Sequence, residues 1–354
     1  MRADMRSFAV RALLVAGVAM AALVMLATLW YAGNILLTVF AGLLLAVALG
    51  GLAEWVASRT GLWRGLSLAI VVVALLGVMA GGAWAIGATA AEQIRELIAT
   101  LPKAVEHLKA TLGESAVGGF LLERIPDASA GSDQAAKRLP WWALTLTLDV
   151  IAGIALMAFI ALFVAANPGL YARGVVRLFP EGRRPRIREV LAELERRMRR
   201  WLLGKLVTMV ITATVTWAGL ALIGVPLALA LGILAGLFNF IPYVGPLVAF
   251  VPAMLLALMQ GVGTVGAVAG LWVGVQTLEG YILTPLIDQE SVNMPPALQL
   301  SALAIAGATM GTVGIVLGAP LTAVIFVLVQ RLYIEDALGD DIDAPMDEPR
   351  VRAA

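Results

Sequence analysis

Residues 237–246 read LFNFIPYVGP and interrupt a long apolar run with two prolines and a glycine. Proline lacks an amide donor and its ring clashes with the preceding helical turn, so a helix that enters this stretch must break. The flanking chain is apolar on both sides, and backbone groups freed inside a membrane need protein or a water-filled cavity to satisfy them. We therefore predict a substrate-binding or gating site here, formed by Asn239, Pro242, Gly245 and Pro246.

The composition around this break is that of a multi-pass membrane protein. Of the 354 residues, 61% are hydrophobic and only 14% are charged, which is far from the average of soluble globular domains. The chain has no cysteine and one histidine, which excludes disulfides, thiolate chemistry and multi-histidine metal sites. Motifs of P-loop ATPases, zinc proteases and serine hydrolases are missing too, so we predict no enzyme activity, no metal and no cofactor.

The apolar runs predict an all-α polytopic membrane protein with about eight membrane elements. They lie at residues 12–31, 35–57, 65–90, 141–166, 203–223, 226–259, 263–284 and 297–333. As one helix, residues 226–259 would extend roughly 50 Å, whereas a bilayer core is about 30 Å thick. The last run is similarly long and contains Gly314, Gly318 and Pro320. We interpret both runs as broken, re-entrant helices in an inverted-repeat C-terminal half, a pattern typical of secondary transporters.

The charged segments set the predicted orientation and the domain boundaries. Residues 167–205 hold ten arginines and one lysine against four glutamates, which places this segment in the cytoplasm. Arg2, Arg6 and Arg11 place the N-terminus there too, and the C-terminus follows on the same side whether the two broken runs span or re-enter. Its apolar residues recur at helical steps, so we predict a basic amphipathic helix on the inner leaflet, in contact with lipid rather than nucleic acid. The predicted regions are a three-span region (1–90), an extracytoplasmic amphipathic helical segment (91–140), the fourth span (141–166), the basic helix (167–202), the transport core (203–334) and a disordered tail (335–354).

Ionisable side chains inside apolar runs are costly and mark candidate functional positions. Glu279 lies near the end of the seventh element, with Gln276 one turn before it on the same face. Glu279 is either a substrate or proton carboxylate or an interfacial group that stabilises packing. Asp149, in the fourth span, is a second candidate for ion coupling, whereas Glu54 is interpreted as a structural partner of Arg59.

These motifs resemble those of the autoinducer-2 exporter family of bacterial membrane proteins. The resemblance rests on residues 235–246, on Gln276-x-x-Glu279-Gly280 followed by Pro285, on residues 314–320 and on a closing Leu-Tyr pair at 332–333. It implies a homo-oligomeric inner-membrane transporter of small solutes, with some members assigned to autoinducer-2 and others to sodium or lithium exchange for protons. One departure is residues 287–294, which carry two acids where many relatives read more like Gly-Arg-Ser-Val.

The sequence thus predicts a secondary transporter that exports a small polar solute by alternating access, with the two broken elements facing each other across the site. A sodium or lithium/proton antiporter is the alternative within the same class. A non-transporting membrane scaffold is the alternative from another class, but a scaffold gains nothing from helix breaks at membrane depth.

Overall fold

A computed structural model describes residues 20, 33–113, 142–283 and 295–339, and all regular structure within these ranges is helical. The α-helices are α1 (Gly33–Thr60), α2 (Arg64–Gly113), α3 (Trp142–Ala166), α4 (Pro168–Arg177), α5 (Arg184–Ile223), α6 (Ala228–Phe238), α7 (Val244–Gln260), α8 (Val262–Thr277) and α9 (Pro296–Leu328). Single π-helical segments, Leu278–Leu283 and Val329–Glu335, extend α8 and α9. Several predictions fall outside the described residues: the first predicted span except for residue 20, residues 114–140 of the predicted amphipathic segment, residues 340–354 of the predicted tail, and the departure at 287–294.

By length and composition alone, four of these helical segments could cross a membrane, namely Gly33–Thr60, Arg64–Leu108, Glu181–Ile223 and Ala297–Glu335, the last of which is bent at Gly311. A fifth results if α3 and α4, which meet at an angle of 89°, count as one bent span. The helices α6 and α7 are apolar but shorter than a span requires. The chain is therefore an all-α membrane protein, while the full set of eight elements stays a prediction.

Two predicted boundaries fall inside continuous helices. Residues 65–90 and the start of the polar segment form one helix, α2, which continues through Pro102. The basic helix and the fifth span likewise form one helix of 40 residues, α5. The apolar face of its basic half also differs from the prediction, because Met198 and Leu202 are buried in a protein core with residues of α1 and α9 rather than directed at lipid.

The first broken run folds back on itself as a helical hairpin. Leu231 of α6 and Leu256 of α7 are almost fully buried in the same core cluster, although a straight helix would separate them by nearly 40 Å, at about 1.5 Å per residue. Tyr243 ends the connecting turn with a positive φ of 64°. A Cβ added to Gly245 would lie 1.8 Å from the carbonyl oxygen of Phe238. Only glycine therefore allows α7 to start this close to the end of α6.

The second broken run is also a hairpin, but its break lies at a different residue from the one predicted. Gly311 has non-helical angles (φ 64°, ψ −146°), and a Cβ on Gly318 would lie 3.1 Å from the Leu303 side chain. The residues predicted to form the break, Gly314, Gly318 and Pro320, are inside the second helical half. Gly314 and Gly318 allow the two helical halves to pack closely. Gly311 has the positive φ that turns the chain, which glycine adopts without steric cost.

Helix α5 connects the cores of the protein. Leu220 packs with α6, α7, α8 and Leu97 of α2 in one cluster, while Met198 and Leu202 pack with α1 and α9 in another. The hairpin α6–α7 lies especially close to α5, because Cβ atoms on Gly232 and Gly236 would lie within 3 Å of α5 atoms. The long helix therefore carries both hairpins, and residues on it are well placed to contact the break at 239–243.

Candidate functional site

Asn239 lies at the end of α6, and its side chain is the centre of a polar cluster. Only 2% of the residue is exposed. The amide nitrogen Nδ2 donates to Thr212 Oγ1 at 2.8 Å and to Glu279 Oε2 at 3.0 Å, while Oδ1 accepts a hydrogen bond from Lys205 Nζ at 2.6 Å. Three separate elements thus meet at one amide group. The Asn239 side chain therefore joins α5 to the π-helical segment after α8.

Glu279 and Lys205 form an ion pair beside this amide. The distance from Lys205 Nζ to Glu279 Oε1 is 3.6 Å, and each side chain is 16% exposed. Lys205 comes from α5, whereas Glu279 comes from the π-helical segment that follows α8. π-Helical turns inside helices are rare and frequently occur at functional sites. The pair has no net charge, which lowers the cost of keeping two ionised groups in an apolar environment.

The cluster forms one wall of a cavity of about 660 Å³, called the Glu279 cavity below. Among the described residues, its lining is Trp201, Lys205, Thr208, Pro242, Tyr243, Pro246, Leu247, Phe250, Trp272, Gln276, Glu279, Gly280 and Gln299. The lining combines apolar and aromatic surface with a few amide, hydroxyl and charged groups, and it falls in the size range of small-molecule sites. Gln299 comes from the first half of α9, so both hairpins contribute to this cavity.

The structure brings together most, but not all, of the predicted site residues. Pro242, Pro246, Gln276 and Glu279 line the cavity, and Asn239 supports it from behind. Gly245 is buried under the turn.

The other predicted residues lie elsewhere. Gly314, Gly318 and Pro320 lie in α9, outside the lining, and therefore do not face the 239–246 turn across the cavity. Asp149 lies in α3, and its side chain is outside the described part of the chain. Glu54 pairs with Arg64 and Arg199, whereas the guanidinium of Arg59 stacks over Trp55.

Sequence reasoning missed Lys205 and the threonines that accompany it. Lys205 was grouped with the arginines before it, although it lies at the start of the fifth apolar run. Thr208, Thr212 and Thr216 follow at intervals of one helical turn, and all three are buried. Threonine at this spacing beside a lysine gives a polar stripe along an otherwise apolar span. That stripe is the signal in the sequence that identifies the α5 face of the site.

The geometry of the cluster favours some ligands over others. A neutral polar solute can exchange hydrogen bonds with Gln276, Gln299 and the Lys205–Glu279 pair without adding charge. The oxygen atoms of Asn239 and Glu279 are already directed at the Lys205 ammonium, so a monovalent cation would have to displace it. Within the described residues, no group of three or more histidine, cysteine or acidic side chains is placed to hold a metal ion.

A second ionic network joins the basic half of α5 to the end of α9. Arg331 bonds to Glu193 at 2.8 Å and to Glu335, and Arg186 contacts both Glu335 and Asp336. Burial alone would raise the pKa of the Glu193 carboxyl, but the hydrogen bond from Arg331 and the nearby guanidinium charges outweigh it and hold that pKa below its usual value. The network fixes the second half of the α9 hairpin to α5.

Comparison with known proteins identifies related transport proteins. The chain is 28% identical to YhhT of Escherichia coli, a protein assigned to transport, over 85% of this chain and 86% of the relative. It is 26% identical to PerM of Escherichia coli, assigned as a permease, over 80% and 85% of the two chains. The match to YrrI of Bacillus subtilis, also assigned to transport, is 31% identical but spans only about half of each chain (51%). The model of the AI-2E family of transporters matches residues 20–334.

Proposed function

Because the chain belongs to the AI-2E transporter family, we propose that it is a secondary transporter that exports a small polar solute through the Glu279 cavity by alternating access. A role in membrane transport and a multi-pass membrane location follow from the family. The direction of transport, the solute class and the mechanism are our proposal. We further propose that the chain acts as a homo-oligomer in the bacterial inner membrane with both termini in the cytoplasm.

The observation that carries the proposal is the ion pair between Lys205 and Glu279, bridged by Asn239 at a helix break. Ionisable groups at membrane depth are retained where they serve a pathway or site. Here they are joined to the turn of a hairpin and line a cavity large enough for a small solute. Substrate sites of secondary transporters typically lie at such broken helices.

The two hairpins suggest how the cavity changes its access. Helices α6–α7 supply Pro242, Tyr243 and Pro246, and the first half of α9 supplies Gln299. Each hairpin is held to α5, the first by close glycine contacts and the second by the Arg331–Glu193 network. We propose that they are the moving parts of an inverted pair that re-enter the membrane from opposite sides, and that the transport core comprises residues 203–334.

Glu279 is proposed as the coupling or gating carboxylate, and its neutralisation tests the function. Glu279→Gln should abolish pH-dependent transport in proteoliposomes while leaving expression intact, because the amide cannot take up or release a proton. Glu96→Gln, an exposed glutamate of α2, is the matched control and should transport normally. Autoinducer-2 is the first solute to use, and normal pH-dependent flux in Glu279→Gln would rule out this assignment.

A sodium or lithium/proton antiporter is the second candidate, in which a cation would displace the Lys205 ammonium. The ammonium lies 2.6 Å from Asn239 Oδ1 and 3.6 Å from Glu279 Oε1, and these two oxygen atoms would become ligands of the cation. A cation that displaces Lys205 would leave the local charge unchanged. Proton movement driven by sodium or lithium, measured by dye quenching, together with no flux of polar solute, would select this function over solute export.

A further inference from the structure

A second cavity, separate from the Glu279 cavity, lies where α3 bends into α4. Its volume is about 410 Å³, and it lies between this bend, α1 and α5. Its lining includes apolar residues such as Val47 of α1, Val164 of α3 and Leu191 of α5, together with arginine side chains. We call it the elbow cavity. This combination of apolar and basic lining residues suits an amphiphile.

The charges that line the elbow cavity are mainly positive. Arg64, Arg173 and Arg188 face it together with one carboxylate, Glu195. Arg64 is already bound to Glu54 at 3.0 Å. Within the described chain, neither Arg173 nor Arg188 has a hydrogen bond or ion pair to a protein group, and both are exposed. Two guanidinium groups are thus available to an anion, and guanidinium binds phosphate well because its donors match the geometry of the oxygen atoms.

Helix α4 has the properties of a helix that lies at a membrane surface. It turns away from α3 by 89°, so it runs along the bilayer plane if α3 crosses the bilayer. Its exposed apolar side chains include Leu170 (60%), Tyr171 (42%) and Val175 (43%), while Arg173 and Arg177 are charged. An amphipathic helix of this type buries its apolar face at the headgroup boundary. With α4 in this position, the elbow cavity would open at the depth of lipid headgroups.

We propose that the elbow cavity binds one anionic phospholipid, with its phosphate held by Arg173 and Arg188 and an acyl chain against Val47, Val164 and Leu191. The lipid would fill the space between the α3–α4 bend and α5. It would hold the basic half of α5 at the inner leaflet, and the proposal does not depend on which solute the Glu279 cavity takes. Free phosphate shares the headgroup chemistry but lacks the apolar contacts.

Lipid retention by the purified full chain tests this proposal. Native mass spectrometry would compare binding of phosphatidylglycerol and phosphatidylcholine to the wild type and to Arg173→Gln/Arg188→Gln. We expect the wild type to retain phosphatidylglycerol preferentially and the variant to bind it about 25-fold more weakly, since each of the two basic residues contributes roughly a factor of five to anionic lipid binding. The matched control is Arg177→Gln/Arg196→Gln, which removes the same charge from the same two helices outside the cavity.

Three further outcomes decide the proposal. The control variant should retain phosphatidylglycerol to within about twofold of the wild type, since nearby surface charge alone is screened over about 8 Å at physiological ionic strength. Equal losses of lipid in both double variants would overturn a specific site. Ala172→Trp, at an exposed lining position, should reduce retention by filling the cavity, and unchanged retention would contradict the acyl-chain contact. Glycerol 3-phosphate should fail to displace the lipid at equal concentration, and full displacement would show a phosphate site instead.

Discussion

Replacing Asn239 with leucine removes the group that joins α5, the α6–α7 turn and Glu279. Leucine has the same number and branching of side-chain heavy atoms, with larger methyl groups in place of the amide oxygen and nitrogen, so the substitution deletes hydrogen bonds without creating a cavity. The native amide makes one bond to a neutral hydroxyl and two to charged groups, within a residue that is only 2% exposed. The change therefore isolates the contribution of the polar cluster.

The size of the effect follows from these three bonds. A neutral hydrogen bond contributes about 1 kcal/mol net, and one to a charged group contributes about 1.5–3 kcal/mol. Lys205 and Glu279 keep each other as partners and retain some exposure to the cavity, which recovers part of this loss. We expect Asn239→Leu to lower the free energy of unfolding by about 3 kcal/mol and to abolish solute flux, because Lys205 and Glu279 lose their fixed positions.

Unfolding in mixed detergent micelles, followed by circular dichroism, measures this difference. Thr212→Val removes only the neutral partner and should cost about 1 kcal/mol. Thr214→Val is the control, because this exposed threonine of the same helix bonds only to the backbone carbonyl of Val210. The reasoning would be refuted if Asn239→Leu were as stable as the Thr214→Val control and still transported solute.

Two other predictions concern backbone contact and charge. Gly245→Ala should lower the free energy of unfolding by about 2 kcal/mol or more, the cost of overpacking, because its Cβ would meet the Phe238 carbonyl. The control is Gly266→Ala, where the added Cβ meets no described atom and stability should not change. Equal losses of stability in the two variants would contradict the close approach at Gly245. The lowered pKa of Glu193 means that its pairing stabilises the fold above the pKa of the unfolded chain, about 4.3, and that this stability is lost as the pH falls through the lower folded value. Glu193→Gln should therefore be less stable at neutral pH and lose less stability on acidification, and parallel pH profiles for variant and wild type would contradict this.

The sequence pattern predicted the position of the first helix break, but it did not predict which residues contact that break. Two prolines and a glycine within five residues disfavour an uninterrupted helix, and a carboxylate such as Glu279 in an apolar run marks a candidate site by its cost alone. Both features are local, so the turn and the carboxylate could be predicted without a structure. Their meeting through Asn239 depends on how α8 packs against α5 and α6, which local patterns do not contain.

Lys205 and the α9 break show two physical limits of the sequence reasoning. A lysine at the end of an arginine-rich segment has the same local pattern whether it faces water or forms a buried ion pair, and only the position of Glu279 separates these cases. In α9, several glycines lie close together, and any of them can allow either a turn or close packing. The structure assigns the turn to Gly311 and the packing to Gly314 and Gly318.

The long helices show a third limit. Hydropathy ends a predicted span where polar residues begin, at 90 in α2 and at 203 in α5, but the helices continue past both points. Backbone hydrogen bonding within a helix does not depend on whether the surroundings are lipid or water. Hydropathy therefore does not show where these helices end.

Site-directed labelling of the Glu279 cavity tests the central claim most directly, and the absence of cysteine makes the native chain a ready background. A single cysteine at Gln299, which lines the cavity, would be modified with a water-soluble maleimide in proteoliposomes, with Val262→Cys (88% exposed in the native protein) as the control outside it. The account predicts that modification at 299 blocks flux, that transported solute slows this modification, and that modification at 262 does neither. Complete modification at 299 with undiminished flux would contradict the assignment of this cavity as the transport site.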